Sequence, residues 1–357
     1  MEPDQDTSLA ATVDPPPGWR SRPAAHHLMR WESGLAVVVV AIGILGVSTS
    51  PQFLTGGNMF NLGLQSGEIA IMALPMTLII ISGEIDLSVA SIMGMSSALL
   101  GYLWNEHWSM LVIFVVIIAV GAAAGAINGL LITRLGLPSL AVTIGTLGLY
   151  RGVANIILGP NTISNFPTAY TNVGVNGVIS PDLSFSAAVF IVLAVIFGVV
   201  LHFTPAGRSI YAMGASPEAA TFAGIRVKRI KTMLFIVSGV ICAVAGALLT
   251  FRLSTAVNSN GLGLELDVVA VVLLGGVSIF GGKGTIVGVV LGVLAFAGIQ
   301  NALLLTSFNQ EAASIPVGGL LLVSVFVPNM AALTARLRAA LARRGRAAPS
   351  AIGSGHD

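Results

Sequence analysis

Charge is what this sequence has least of. Only 9% of its 357 residues are Asp, Glu, Lys or Arg, against about 25% in an ordinary soluble domain, whose surface water must solvate. So little polar material cannot cover a globule of this size in water. With 55% hydrophobic residues, the chain is expected to have lipid as its solvent over most of its surface. Cysteine is nearly absent as well. Cys242 is the sole example and lies inside an apolar run, which excludes a disulfide framework and a cysteine-based metal site. What remains for it is the role of a small hydrophobe packed in a helix. The five histidines (His26, His27, His107, His202 and His356) lack metal-ligand spacing on one helix. No Ser/His/Asp set suggests itself either, so no metal, cofactor or catalytic centre is expected.

A nucleotide loop is missing too. Gly281-Gly282-Lys283-Gly284 invites that reading, but a P-loop needs a Gly five residues before the Gly of its Gly-Lys pair, and Ser or Thr after the Lys. Val277 and Gly284 occupy those positions. Any ATP must therefore be hydrolysed on another chain. No cleavable signal peptide is expected at the start, since the first apolar stretch begins only near Leu35.

What the sequence does have is apolar runs and small residues. A helical crossing takes roughly 20 apolar residues to bridge a ~30 Å hydrocarbon core. Runs near 33–49, 62–82, 85–103, 109–133, 138–159 and 184–203 precede residue 205, and runs near 233–251, 264–280, 285–304 and 314–334 follow. The 42 glycines suit helices that approach closely in a membrane. The fold class expected is all-α: a polytopic transmembrane bundle of about ten helices with interrupted segments.

Most of the 17 basic residues fall in three clusters. Arg20, Arg22 and Arg30 precede the first run; Arg208, Arg226, Lys228, Arg229 and Lys231 lie between the sixth and seventh; and Arg336, Arg338, Arg343, Arg344 and Arg346 follow the last. Positive-inside bias puts all three in the cytoplasm, together with both termini. That needs an even number of crossings between clusters, and the runs supply six and then four. Arg134 and Lys283 then fall on the same side, with Glu106, Asp182 and Glu311 on the other. Residues 1–30, rich in Pro, Asp and Ala, read as a disordered tail; 31–335 form the membrane domain, and 336–357 a basic tail suited to anionic lipid rather than nucleic acid.

Several runs are interrupted. Gly83-Glu84-Ile85-Asp86 and Gly281-Gly282-Lys283-Gly284 each separate two apolar halves, and Pro138 opens a run containing Thr143, Thr146, Arg151 and Asn155. Such breaks either line a translocation path, where protein or water satisfies the backbone, or are short turns at the membrane edge. Glu84, Asp86 and Ser88 are candidates for the path because ionisable groups at depth are expensive. Arg151 could face the same lumen or snorkel. The pairs Ile81–Gly101 and Ile279–Gly298 share a pattern that hints at an internal repeat.

The segment 204–231 contains Gly214-Ala215-Ser216-Pro217-Glu218-Ala219-Ala220-Thr221-Phe222-Ala223-Gly224. Ser216 suits an N-cap, Pro217 the first helical position, Glu218 the positive end of the helix dipole and Gly224 the stop. This is either a two-turn knob for a partner's cleft or a solvated basic loop.

Gly83-Glu84-Ile85-Asp86-Leu87-Ser88 resembles the Gly-Gly-Ile-Asp-Leu-Ser signature of the permeases of ribose-type ABC sugar importers. Leu137-Pro138-Ser139-Leu140-Ala141-Val142-Thr143-Ile144-Gly145-Thr146-Leu147 looks like a second family stretch. The run Ala206-Gly207-Arg208 through Gly214, then Glu218-Ala219-Ala220 and Gly224-Ile225, resembles their coupling loop, and Phe280-Gly281-Gly282-Lys283-Gly284-Thr285 their last signature. Four ordered matches span about residues 33 to 330. Glu84 replaces the commoner second Gly, which looks closer to the rhamnose and autoinducer-2 branches. The resemblance implies an inner-membrane permease subunit that is not itself an enzyme. Its partners would be an ABC ATPase subunit, a periplasmic sugar-binding protein and a second permease copy or paralogue. It also implies a dock around Arg208, Gly214, Ser216, Pro217, Glu218, Ala219, Ala220, Gly224 and Arg226. A branched-chain amino-acid-type permease and an ion-driven secondary transporter stand as rivals.

Overall fold

The computed structural model describes residues 25–306, with isolated helical positions 315, 318, 319 and 322 beyond them. Apart from those four positions, the run near 314–334 lies outside the described residues, as do the tail 336–357 and the tail 1–30 except for residues 25–30. The described chain runs α1 (Ala25–Thr49), α2 (Gly56–Ile81), α3 (Val89–Asn105), α4 (Met110–Leu135), α5 (Ser139–Leu158) and α6 (Thr168–Val175). A two-stranded ribbon of β1 (Gly177–Ser180) and β2 (Leu183–Ser184) follows. Then come α7 (Phe185–Phe203), α8 (Pro205–Ala215), α9 (Pro217–Phe222), α10 (Val227–Leu253), α11 (Leu264–Leu274) and α12 (Ile286–Leu305).

Seven of the described helices are long and apolar enough to cross a membrane: α1 from Trp31 onward, α2, α4, α5, α7, α10 and α12. At 17 residues α3 falls just short, and α11 has only 11. The sequence expectation carried the eighth run to residue 280, whereas α11 stops at Leu274. The reason is local. Gly276 takes a left-handed φ of 83°, its N–H donates to the Leu273 carbonyl, and the Val277 N–H reaches back to Val272. That is a Schellman stop. The helix α2 ends in the same way: Gly83 (φ 84°) donates to Ile80, and Glu84 to Ile79. The two interruptions noted in the sequence thus begin with one shared device.

Helix α2 is the axis of the bundle, apolar all round and buried from Ser66 to Ile81, as a helix enclosed by others must be. Helices α7, α10 and the α11–α12 hairpin surround it. Without a hydrophobic drive between helices in lipid, close packing and interhelical hydrogen bonds hold such a bundle together. Both are present. Gly121, Gly125 and Gly129 on α4 form a strip against α10, where a methyl on Gly125 would overlap the Phe235 carbonyl and one on Gly121 would meet the Gly239 carbonyl oxygen. Asn58 on α2 and Asn301 on α12 exchange two bonds of 2.7 and 3.0 Å. Ser97 and Thr250 join α3 to α10 at 2.7 Å, and Arg252 pairs with the buried Glu68 at 3.0 Å. One end of the bundle gathers Arg134, Arg226, Lys228 and Arg229. Asp182 lies near the start of α2, at the opposite end.

Candidate functional site

The short helix α9 forms as its sequence dictates. Ser216 is the N-cap, its hydroxyl accepting from the Ala219 N–H at 3.2 Å and donating to Glu218 Oε2. Pro217 opens the helix, and Gly224, at φ 82°, closes it with the Ile225 N–H bonded to Ala220. Ala220 is the inward face, packed into the core, while Glu218 and Ala219 are exposed. Arg208 lies exposed on α8, and Arg226 is the N-cap residue of α10. Phe222 is 92% exposed. An aromatic ring so bare on a short helix is the kind of anchor that interfaces use.

The end of α8 meets both interruptions at one point. A methyl on Gly214 would overlap the Ile81 carbonyl and approach Gly282 N at 2.6 Å. Only glycine lets three backbones come this close. Gly281 in turn lies against Gly83, and the Gly282 N–H donates to the Ile81 carbonyl at 2.8 Å. Tyr211 on α8 donates its hydroxyl to the Gly284 carbonyl at 2.6 Å. Burial, then the Glu32 carboxylate, push that phenol up to about 12, so it remains a donor at any physiological pH. On the far side, Lys231 of α10 pairs with Glu84 at 2.5 Å, both side chains largely enclosed.

From Glu84 the chain enters the bundle. Asp86 and Ser88 are fully buried. Asp86 Oδ1 accepts from the Ser88 N–H at 3.0 Å and the Ser88 hydroxyl at 2.6 Å, and Ser238 on α10 donates to Oδ2 at 3.4 Å. Asn128 on α4 donates to Ser88 at 2.7 Å, and Tyr150 on α5 donates to Asn128 and to the Ala124 carbonyl. Backbone that is not helical at this depth is satisfied by protein, as it has to be. Ser139 and Thr143 at the start of α5 bond the N–H and carbonyl of Ile85.

Glu84, Asp86, Ser88 and Thr143 therefore form one continuous cluster, which the α8–α9 residues adjoin through the glycine contact. Thr146 is buried one turn farther along α5, bonded to the Thr143 carbonyl. Asn155 stands apart, exposed and about 18 Å along α5 from Thr143. Arg151 donates to the carbonyls of Asn258 and Asn260. Sequence reasoning missed Asn128, Tyr150, Lys231, Ser238 and Phe222. A single Asn inside the apolar run 109–133 was the one signal available for this network.

A family model described as "Branched-chain amino acid transport system / permease component" matches residues 58–325. The chain is similar to the ribose import permease protein of Bacillus subtilis (strain 168), 34% identical over 294 residues, 82% of this chain and 90% of that one. It is 32% identical over 315 residues to the autoinducer 2 import system permease protein of Enterobacter sp. (strain 638), covering 88% and 89% of the two chains. The L-arabinose ABC transporter permease protein of Azospirillum brasilense is 33% identical over 293 residues, 82% and 86%. No solved structure matches. With three-quarters of its length inside the family match and seven membrane-length helices, the chain belongs to this permease-component family and is a multi-pass protein of the bacterial inner membrane.

Proposed function

We propose that this chain is the membrane-spanning subunit of a binding-protein-dependent ABC importer, carrying a ribose-, rhamnose- or autoinducer-2-like monosaccharide into the cytoplasm while a partner subunit hydrolyses ATP. The sugar relatives support the substrate class. One observation carries the mechanism: Gly214, at the root of α9, is packed without a gap against Ile81 and Gly282, the backbones of both interruptions. A push on α9 cannot be absorbed by side chains there, and has to move the segment that leads to Asp86.

In this reading the basic end faces the cytoplasm with both termini, and the chain crosses about ten times. The ATPase docks on Ser216, Pro217, Glu218 and Ala219, with Phe222 as anchor and Arg208 and Arg226 beside it. Glu84, Asp86, Ser88, Thr143 and Thr146 form the hinge of the path, and Asn155 faces it. A periplasmic binding protein delivers the sugar, a second permease copy or paralogue completes the path, and the basic C-terminal tail contacts lipid. The family description favours one other reading, a branched-chain amino acid as cargo. Identifying the ligand that co-purifies with the binding protein separates the two.

The dock is tested by Glu218→Arg in the assembled complex. Reversing this charge at a solvent-facing contact lowers uptake about tenfold or more and weakens ATPase association. Unchanged uptake with unchanged docking sinks the dock, and uptake persisting with no ATPase subunit at all would point to an ion-driven transporter.

A further inference from the structure

Two grooves flank the start of α10. One, of about 700 Å³, runs between α4 and α10 and includes Arg134, Arg226, Lys228 and Arg229. The other, of about 650 Å³, lies between α7 and α10 with Leu78 of α2 among its lining; Arg226 and Arg229 lie on it, and Val200, Met233 and Val237 line its apolar wall. Among the described residues, no acidic one lines either groove. Among the described residues the only ion pairs are Lys231–Glu84 and Arg252–Glu68, so Arg134, Arg226, Lys228 and Arg229 carry uncompensated charge. No acidic residue stands in the first turn of α10, and no side chain caps it, which adds the positive end of a 27-residue helix dipole to the same place.

We infer that the α7–α10 groove binds one anionic phospholipid, with its phosphate held by Arg226 and Arg229 and an acyl chain laid against Val200, Met233 and Val237. Three features select this occupant. The groove is basic at one end and apolar along its length, which matches a phospholipid and not a soluble anion. From Arg226 to Val237 it extends about 16 Å along α10, close to half of a ~30 Å hydrocarbon core and so to one leaflet. Its apolar wall is supplied by α7 and α10, two helices long and apolar enough to cross a membrane, which is the setting an acyl chain occupies. Basic pockets between spanning helices are established sites for anionic headgroups.

The test is native mass spectrometry of the full-length delipidated chain in neutral detergent, titrated with phosphatidylglycerol and with phosphatidylethanolamine of identical acyl chains. One tightly retained phosphatidylglycerol is expected, with phosphatidylethanolamine at least tenfold weaker. The double variant Arg226→Gln/Arg229→Gln should bind phosphatidylglycerol roughly 30-fold more weakly, whereas Arg226→Lys/Arg229→Lys should stay within about threefold, which separates lost charge from lost fold. Val200→Trp, filling the apolar wall with both arginines intact, should also lower retention. Equal binding of the two lipids overturns the inference. So does full retention by the Gln variant or by Val200→Trp, or displacement of the lipid by millimolar inorganic phosphate.

Discussion

Asp86 is a carboxylate enclosed in the bundle, and its partners explain its position better than its charge does. It accepts from the N–H and hydroxyl of Ser88, the N-cap residue of α3, so it closes the interruption and faces the positive end of that helix. Asp86→Ala leaves the Ser88 N–H without an acceptor in a place water does not reach. Orphaned buried donors cost about 1–3 kcal/mol each, so a loss of roughly 3 kcal/mol is expected, and less for Asp86→Asn, which keeps an accepting oxygen. Cys242, buried on α10 and the sole cysteine, provides the readout: thermal unfolding followed by its labelling with a thiol-reactive dye. Glu84 makes a different case. Its pair with Lys231 ties the interruption to α10. Lys231→Met strands the carboxylate and should destabilise more than the double variant Glu84→Gln/Lys231→Met, because breaking a buried pair costs more than replacing it. Equal losses from the two variants would show that the pair couples nothing.

At the scale of elements, what the sequence revealed depended on the range of the interaction. The cap, first turn and stop of α9 were legible because Ser216, Pro217, Glu218 and Gly224 act on their own neighbours. Seven of the ten expected spans were legible because composition averages over twenty residues. The end of α11 was not, since Gly275 and Gly276 sit within an apolar run and only their backbone bonds reveal the stop. The Asp86 network was also hidden: it joins residues 40 and 152 positions apart, and no local pattern encodes such a pairing. Glycines show the same divide. Their abundance announced close helix packing, but not which ones perform it. Gly125 is jammed against Phe235, whereas Gly145 on α5 has open space. Gly125→Ala should therefore cost about 1–3 kcal/mol, the usual penalty for overpacking, and lower the midpoint of Cys242 labelling. Gly145→Ala should leave it unmoved.

The whole molecule has two kinds of outer surface, and the difference bears on assembly. Helix α7 turns Ile191, Val192, Val195, Ile196 and Val199 outward, the plain aliphatic face that lipid tails suit. Helix α5 also exposes Ile144, Leu149 and Ile156, but interspersed with Ala141, Gly145, Gly148 and Asn155. Bare helical backbone and a polar amide are poor surfaces to leave against lipid; small residues of this kind are characteristic of helix–helix contacts in membranes, and polar ones of water-lined paths. On the opposite side of α5, Thr143 already bonds the Ile85 carbonyl of the interruption that holds Asp86, and Thr146 bonds the Thr143 carbonyl behind it. One helix would then connect the Asp86 cluster on its inner side with a second permease chain, and the path between them, on its outer side. Cysteine cross-linking decides this in the native membrane. In a Cys242→Ala background, Gly148→Cys should form an oxidative cross-link to a second permease chain carrying the matching cysteine, giving a species of doubled mass. Val195→Cys, exposed on α7, should not. If Val195→Cys cross-links and Gly148→Cys does not, the two faces have been assigned the wrong way round, and the path must lie against α7.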